Sequence, residues 1–247
     1  MTPADLHLNT HVLTMIAHKL RTPLSIINGY CEALSTQQQK NLPPFSAKAL
    51  EEIGLQGAHL SQLIDQLIAF NKVFAAQPDT LTKQTVTLKP LIKECAKRML
   101  AQEEQLEEAD AKKNKAQRRG TFVETDCPDN LTLTANEEML RLCIEELLSN
   151  SMKFNNKTEK VIKIQCVNHG NCISLSVRDY GTGIRPQDVN RIFEPFYQVD
   201  DDLTGQITGW GLGLTMVQRI LELHGGSISV VSDRGLGSIF TVNLPNV

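Results

Sequence analysis

One histidine in this 247-residue chain has neighbours that indicate chemistry rather than packing. His18 opens the run 18–24, with Thr22 four residues further on and Pro23 directly after it. Neutral imidazole is nucleophilic, and its ordinary pKa of about 6.5 leaves it mostly unprotonated at neutral pH. Pro23 removes a backbone donor and crowds the carbonyl of Lys19, so we expect the helix to bend there. A histidine one turn before such a bend suits a nucleophile.

A second polar group lies on one face of a predicted helix. Glu146, Asn150 and Lys153 are four and three residues apart, so they share a stripe. A carboxylate, an amide and an ammonium on one stripe suit a magnesium triphosphate, because magnesium prefers oxygen ligands and keeps several waters. An ordinary amphipathic surface with an ion pair is the alternative for this stripe taken alone.

Two short segments between this helix and the last strands carry loop chemistry. Asp179 follows a predicted strand and can accept a hydrogen bond from an exocyclic amine. Gly181 and Gly183 let the backbone approach a flat ring. Residues 192–196 are apolar and contain a proline, which is typical of a patch that anchors a loop.

A glycine-rich segment precedes the last predicted helix. Gly209, Gly211 and Gly213 lead into that helix, where free N–H groups and the helix dipole favour phosphate. No strand of a βαβ unit directly precedes the segment, which argues against a dinucleotide-binding fold.

The elements that position His18 are two long helical patterns, over about 8–40 and about 45–76. Residues 41–44 are predicted to form the turn between them, and 77–79 to form an interdomain linker. Two helices of this length cannot bury their apolar stripes in an isolated hairpin. We therefore predict a homodimer built on a four-helix bundle.

The remaining residues predict an α/β sandwich, so the whole chain is of the α+β class. Its sheet is mixed and mostly antiparallel, with helices on one face. The predicted strands are 84–88, 121–126, 161–168, 172–179, 227–233 and 237–244, and the predicted helices are about 89–118, 135–154 and 212–224.

Composition excludes several classes of protein. An apolar content of 41% supports a real core, and a net charge of -3 gives no general attraction to nucleic acid. The six cysteines include no Cys-x-x-Cys pair, so we interpret them as reduced core residues of a cytoplasmic protein. No apolar run is long enough for a membrane span, and no signal peptide is present.

The run 18–24 resembles the phosphoacceptor box of sensor histidine kinases, whose usual form is His-Glu/Asp-Leu-Arg-Thr-Pro-Leu. In order and spacing, the segments 146–154, 179–184, 192–196 and 209–214 resemble the N, G1, F and G2 boxes of that family's catalytic domain. This domain belongs to a wider ATPase group that includes gyrase, the Hsp90 chaperones and MutL.

The resemblance implies two domains and two cofactors. Residues 1–79 would be a dimerisation and histidine phosphotransfer domain, and 80–247 an ATP-binding catalytic domain that uses ATP and Mg²⁺. His18 would take the phosphoryl group and pass it to an aspartate of a response-regulator receiver. The start of the chain close to His18 indicates a core excised from a longer protein with a sensor region.

The same resemblance implies a role for single residues. Thr22 matches the position linked to placing water for dephosphorylation of the partner. Asn150 would bind magnesium, and Lys153 would contact phosphate. Asp179 would bind the adenine amine, and Gly181 and Gly183 would shape the adenine pocket. Gly209, Gly211 and Gly213 would lie at the phosphates, and residues 197–210 would be a mobile ATP lid.

Two positions depart from the family pattern. Lys19 replaces the usual acid, and an ammonium cannot accept the imidazole Nδ1–H. Thr14 and Thr22 are candidates to supply hydroxyl oxygens instead. Glu146 stands where many of these kinases have asparagine, so it could serve as an acceptor for His18 or favour ATP hydrolysis.

Two other functions share these motifs. An ATPase machine of the gyrase, Hsp90 or MutL type has every nucleotide motif but neither the His18 box nor the helical hairpin. If Lys19 disables His18, the chain would be a dimeric scaffold that binds nucleotide with little transfer of the phosphoryl group.

The Lys19 departure predicts weak autokinase activity or a bias towards phosphatase action. Replacing the ammonium by an acceptor, Lys19→Glu, should raise the rate at which His18 is phosphorylated, because the carboxylate can hold the imidazole in one tautomer. The rate is measured with labelled ATP, and an unchanged rate would contradict this explanation.

Overall fold

The computed structural model describes residues 10–36, 43–114, 120–199 and 209–246. The chain divides into two compact units, Met1–Ala75 and Ala76–Val247, which are described separately. No described helix combines the length and the apolar character that crossing a membrane requires.

The first unit is a pair of helices, α1 (Thr10–Thr36) and α2 (Pro43–Ala75), that pack along each other. Pro23 is buried inside α1 and does not end it. Helix α2 begins inside the predicted turn, since proline is favoured in a first helical turn; the first two residues of that turn lie outside the described ranges. Four large apolar side chains remain 44–63% exposed, namely Leu24, Leu50, Ile64 and Ile68.

The second unit alternates strands and helices. After a short 3-10 turn at Pro78–Thr80, its elements are β1 (Gln84–Thr87), α3 (Leu88–Asn114), β2 (Gly120–Asp126), β3 (Thr132–Ala135), α4 (Glu137–Lys153), β4 (Glu159–Asn168), β5 (Cys172–Arg178), α5 (Gly213–Leu223), β6 (Ser227–Asp233) and β7 (Gly237–Pro245).

These strands form the mixed sheet that the sequence predicts. Five strands lie in the order β2-β4-β5-β7-β6, with β2 parallel to β4 and the other neighbours antiparallel. Helices α3, α4 and α5 pack on the face where β4, β5 and β7 bury every second residue. Burying each large aliphatic side chain there contributes about 1.5–3 kcal/mol to the hydrophobic free energy of folding.

The sequence missed strand β3, which pairs with β1 in a separate two-stranded sheet. The segment is only four residues long, although Leu133 and Ala135 alternate with exposed threonines as a strand requires. The interpretation of all six cysteines as core residues is also partly wrong. All six are free, but Cys31 is exposed and Cys172 is only partly buried.

A buried histidine joins the ends of two helices. The Asn136 side chain caps α4 by accepting the Met139 N–H at 3.0 Å, and the Asn136 N–H donates to His224 Nε2 at 2.9 Å. Nδ1 of His224 lies 2.7 Å from the Ile220 carbonyl, where it donates. His224 is therefore neutral, with Nε2 as acceptor. Burial lowers its pKa, and the hydrogen bond to Ile220 only partly opposes that.

This arrangement predicts a pH dependence of stability. A histidine whose pKa is lower in the folded than in the unfolded chain stabilises the fold fully above about pH 6.5, and that stability is lost as the pH falls towards the folded-state pKa. Urea unfolding at pH 7.5 and pH 5.5 should therefore show a smaller loss of unfolding free energy in His224→Gln than in the unmodified chain. His169→Gln, in the exposed β4–β5 turn, is the control and should keep the full loss. Equal losses in all three proteins would contradict this role.

Candidate active site

Helix α4 presents the polar stripe that the sequence predicts. Lys153 is exposed in the last turn, while Glu146 and Asn150 are partly exposed on the same face. Burial raises the pKa of the Glu146 carboxyl, and the charge of Lys153 offsets this in part. A carboxylate held in this way gains from a nearby cation or hydrogen-bond donor.

The first residue of α5 lies directly against this stripe. A Cβ atom on Gly213 would be 2.3 Å from Glu146 Oε2 and 3.9 Å from Asn150 Nδ2. Residue Leu212 offers no side-chain cap to α5, so the first-turn N–H groups are left for another acceptor. Free helix N–H groups beside a carboxylate and an amide can hold an anion together with its counter-cation.

The Asp179 carboxyl is buried at the end of β5, with 6% of the residue exposed. Its Oδ1 accepts the N–H of Gly181 at 2.8 Å and that of Ser238 at 3.3 Å. Burial raises the pKa of Asp179, and these two backbone donors pull it back. Because both bonds end on Oδ1, Oδ2 is the atom to which a ligand amine would donate.

The loop after Asp179 is held closely on two sides. A Cβ on Gly181 would lie 2.3 Å from the Phe154 carbonyl oxygen, which also accepts the Thr182 N–H and hydroxyl at 3.0 and 3.2 Å. Gly183 has φ +67°, and its Cβ would lie 2.0 Å from the carbonyl oxygen of Asp233. Only glycine fits either position, so the loop is fixed between the end of α4 and the end of β6.

A buried carboxylate links this loop to the apolar segment 192–196. Arg185 Nε donates to Asp188 Oδ2 at 2.6 Å, and the Tyr197 hydroxyl donates to Oδ1 at 2.7 Å. These two donors hold the pKa of Asp188 below its usual range. Arg191 also lies over the Tyr197 ring, 4.2 Å from its centroid.

The apolar segment in turn holds the glycine-rich loop. Phe196 has φ +64°, a left-handed conformation that is unusual for a bulky residue, and its N–H donates to the Gly211 carbonyl at 3.0 Å. Gly211 has φ +72°, and its Cβ would be 2.5 Å from the Tyr197 carbonyl oxygen. Gln198 Nε2 donates to the Gly209 carbonyl at 3.1 Å. Trp210 between these glycines is 1% exposed and packs in the core.

The structure brings most of the predicted site residues into one part of the second unit. They are Glu146, Asn150 and Lys153 on α4, Asp179, Gly181 and Gly183 in the first loop, and Gly209, Gly211 and Gly213 at the start of α5. Residues 200–208 of the predicted lid lie outside the described ranges.

The other predicted residues belong to the first unit. The backbone of His18 is helical within α1, but its side chain lies outside the described part. Thr22 is exposed on α1. Lys19 is partly buried, which lowers its pKa, and its charge adds to burial in lowering the pKa of His59 on α2. The ammonium that replaces the usual acid is therefore near a second histidine.

Sequence reasoning missed the residues that fix the two loops. Asp188, Tyr197 and Ser238 each make the contacts described above across distances in sequence that no local pattern reveals. The local signal for Asp188 was Arg185, three residues before it and of opposite charge. Among the described residues, no group of three or more His, Cys, Asp or Glu side chains is placed to hold a metal ion.

Two family models match the chain. Residues 8–73 match the His Kinase A (phospho-acceptor) domain, and residues 135–247 match the histidine kinase-, DNA gyrase B-, and HSP90-like ATPase. Sensor histidine kinase RcsC of Escherichia coli K12 is 30% identical over 243 residues, 94% of this chain and 23% of that protein. Sensor histidine kinase YkoH of Bacillus subtilis is 30% identical over 226 residues, 92% of this chain and 45% of that protein. The chain thus spans less than half the length of either relative.

Solved structures show the same fold. Histidine kinase ThkA in complex with the response regulator protein TrrA has a TM-score of 0.70 at 20% identity, over 99% of this chain and 64% of that one. Acinetobacter baumannii histidine kinase AdeS has a TM-score of 0.64 at 19% identity, over 93% of this chain and 98% of that one. With a phosphoacceptor domain followed by this ATPase domain, the chain contains a histidine kinase catalytic core.

Proposed function

We propose that this chain is an ATP-dependent protein-histidine kinase of a two-component system, phosphorylating His18 and passing the phosphoryl group to a receiver aspartate. The observation that carries the proposal is the contact of Gly213 with Glu146, which joins an uncapped helix start to the polar stripe of α4. The loop after the buried Asp179 is hydrogen-bonded to the Phe154 carbonyl at the end of that same helix, and it adds a place for a nucleotide base.

The geometry supports a role for each group in nucleotide binding. Asp179 Oδ2 would accept the adenine amine, and Gly181 and Gly183 would shape the pocket by letting the loop pack against the Phe154 and Asp233 carbonyl oxygens. The N–H groups at Gly211 and Gly213 and the ammonium of Lys153 would hold the phosphates.

The residues present also fit Mg²⁺. Asn150 and Glu146 place oxygen donors one turn apart, and the partly buried Glu146 carboxyl gains from a cation. Two protein donors are too few to cage a metal alone, which suits an ion that keeps waters and phosphate oxygens as its other ligands. Bound there, Mg²⁺ would neutralise phosphate charge.

The chemistry assigned to His18 is nucleophilic attack by the neutral imidazole on the terminal phosphoryl group, with in-line positioning as the main source of rate. Lys19 supplies a positive charge where family members of the usual pattern have a hydrogen-bond acceptor. This charge keeps the His18 imidazole neutral, but it disfavours the positive charge that develops on the ring during attack. Thr22, exposed on α1, matches the position linked to placing a water for dephosphorylation of the partner.

The exposed apolar side chains of the hairpin support a homodimer. Leu24 of α1 and Ile64 and Ile68 of α2 would be covered if two hairpins formed a four-helix bundle. The complex of ThkA with TrrA supports a receiver domain as the second partner. The six free cysteines support a reducing compartment, the cytoplasm.

One observation favours a second function, ATP hydrolysis. Glu146 of α4 has a raised pKa and lies beside the first residue of α5, and both features suit a general base that activates water. Hydrolysis would then compete with transfer to His18.

A labelling experiment separates these functions. Incubation with γ-labelled ATP and magnesium should give acid-labile phosphate on the chain, absent in His18→Gln and strongly reduced in Asp179→Asn. His169→Gln, with an exposed histidine in the second unit, is the control and should label normally. Nucleotide binding without label would indicate a scaffold, and phosphate release that persists in His18→Gln without any label would indicate an ATPase.

The close approach at Gly213 gives a further prediction. Gly213→Ala places a methyl group against the Glu146 carboxylate, so nucleotide binding should weaken at least ~10-fold, about 1.4 kcal/mol. Gly54→Ala on the exposed face of α2, where a Cβ meets nothing within 4 Å, is the matched control and should bind as the unmodified chain does. Calorimetric titration with a non-hydrolysable ATP analogue measures both, and unchanged affinity in Gly213→Ala would refute the assigned site.

A further inference from the structure

Two cysteines lie side by side where the parallel strands β2 and β4 end their pairing. Asp126, the last residue of β2, pairs with Gln165, so the same register places Cys127 opposite Cys166. Neighbouring strands are about 4.8 Å apart, inside the roughly 4.4–6.8 Å range of Cα separations that a disulfide spans. Both thiols are free, and each is close enough to the other to perturb its pKa. The backbone therefore needs little movement to accept a bond between the two sulfurs.

The surroundings make the two sulfurs unequal. Burial raises the pKa of both thiols, and the positive charge of Lys89 partly offsets this at Cys127. Cys127 Sγ donates to the Pro128 carbonyl at 3.7 Å. Because the Lys89 ammonium is near Cys127, we assign Cys127 as the sulfur that reacts first with an oxidant.

We propose that Cys127 and Cys166 form a redox modification site, in which a peroxide oxidises the two thiols to a disulfide that a small thiol reduces again. The Cys127 sulfur attacks the peroxide O–O bond, giving a sulfenic acid and releasing the second oxygen as water. The Cys166 sulfur then attacks the Cys127 sulfur, so the S–S bond forms, the S–O bond breaks and water leaves with the Cys166 proton. Two thiols lose two electrons and two protons, and hydrogen peroxide becomes two waters.

The disulfide would act on the helix that carries the polar stripe. The segment between the two cysteines contains β3 and all of α4, so the bond ties both ends of the segment that presents Glu146 and Asn150. Closing a loop of this length restricts the unfolded chain and stabilises the folded one. With the two cysteines only 4% and 5% exposed, oxidation should be slower than at an exposed thiol.

The test is oxidation of the full chain by hydrogen peroxide, followed by thiol blocking and peptide mapping without reductant. We expect a Cys127–Cys166 linked peptide, lighter by two hydrogens, that dithiothreitol removes. The thermal unfolding midpoint should rise on oxidation and return on reduction. Cys172→Ser, a partly buried cysteine of β5, is the control and should still form the linked peptide.

Two variants make the proposal falsifiable at the level of each sulfur. In Cys166→Ser or, if serine is not tolerated, Cys166→Ala, peroxide should leave a sulfenic acid on Cys127 that dimedone traps, with no rise in the unfolding midpoint. Oxidation confined to Cys31 or Cys172, or a linked peptide that appears only after denaturation, would overturn the proposal. This outcome does not depend on nucleotide binding, so it is separate from the kinase proposal.

Discussion

Glycine at the first residue of α5 lets this helix begin directly against the carboxylate of Glu146. An alanine methyl at Gly213 would meet Glu146 Oε2, so the Glu146 side chain would have to move. The contact sets an acidic group beside the positive end of a helix, an arrangement that the helix dipole favours. Asn150 lies about one turn along α4 from this point, and Lys153 about two turns.

The loops around this point are fixed by backbone groups together with the buried carboxylates of Asp179 and Asp188. The Phe154 carbonyl accepts two hydrogen bonds from Thr182, and the Gly211 carbonyl accepts the N–H of Phe196. The Asp188 carboxylate, with Arg185 and Tyr197 as donors, connects the loop after Asp179 to the segment that holds the glycine-rich loop. A change in one loop therefore has a continuous set of contacts through which to reach the other.

The sequence was sufficient where the signal was local. Helical periodicity located α1, α2, α4 and α5 to within a few residues, and spacing alone put Glu146, Asn150 and Lys153 on one face. It failed where the signal was short or distant. Strand β3 has only four residues, and the partners Asp188–Tyr197 and Asp179–Ser238 meet through the fold, nine and 59 residues apart. Cys31 was misjudged because a cysteine at a helical step can lie just outside the buried stripe.

Helices α4 and α5 touch at both ends of α5. At one end Gly213 lies against Glu146, and at the other His224 accepts the N–H of Asn136, the cap of α4. The two helices therefore run antiparallel, and α5 cannot slide along α4 without breaking one of these contacts. The two helices therefore keep a fixed position relative to each other. Any rearrangement that a ligand causes must be accommodated in the loops that flank them. The distance between the Asn136 cap and the Glu146 carboxylate should then be the same with and without ligand.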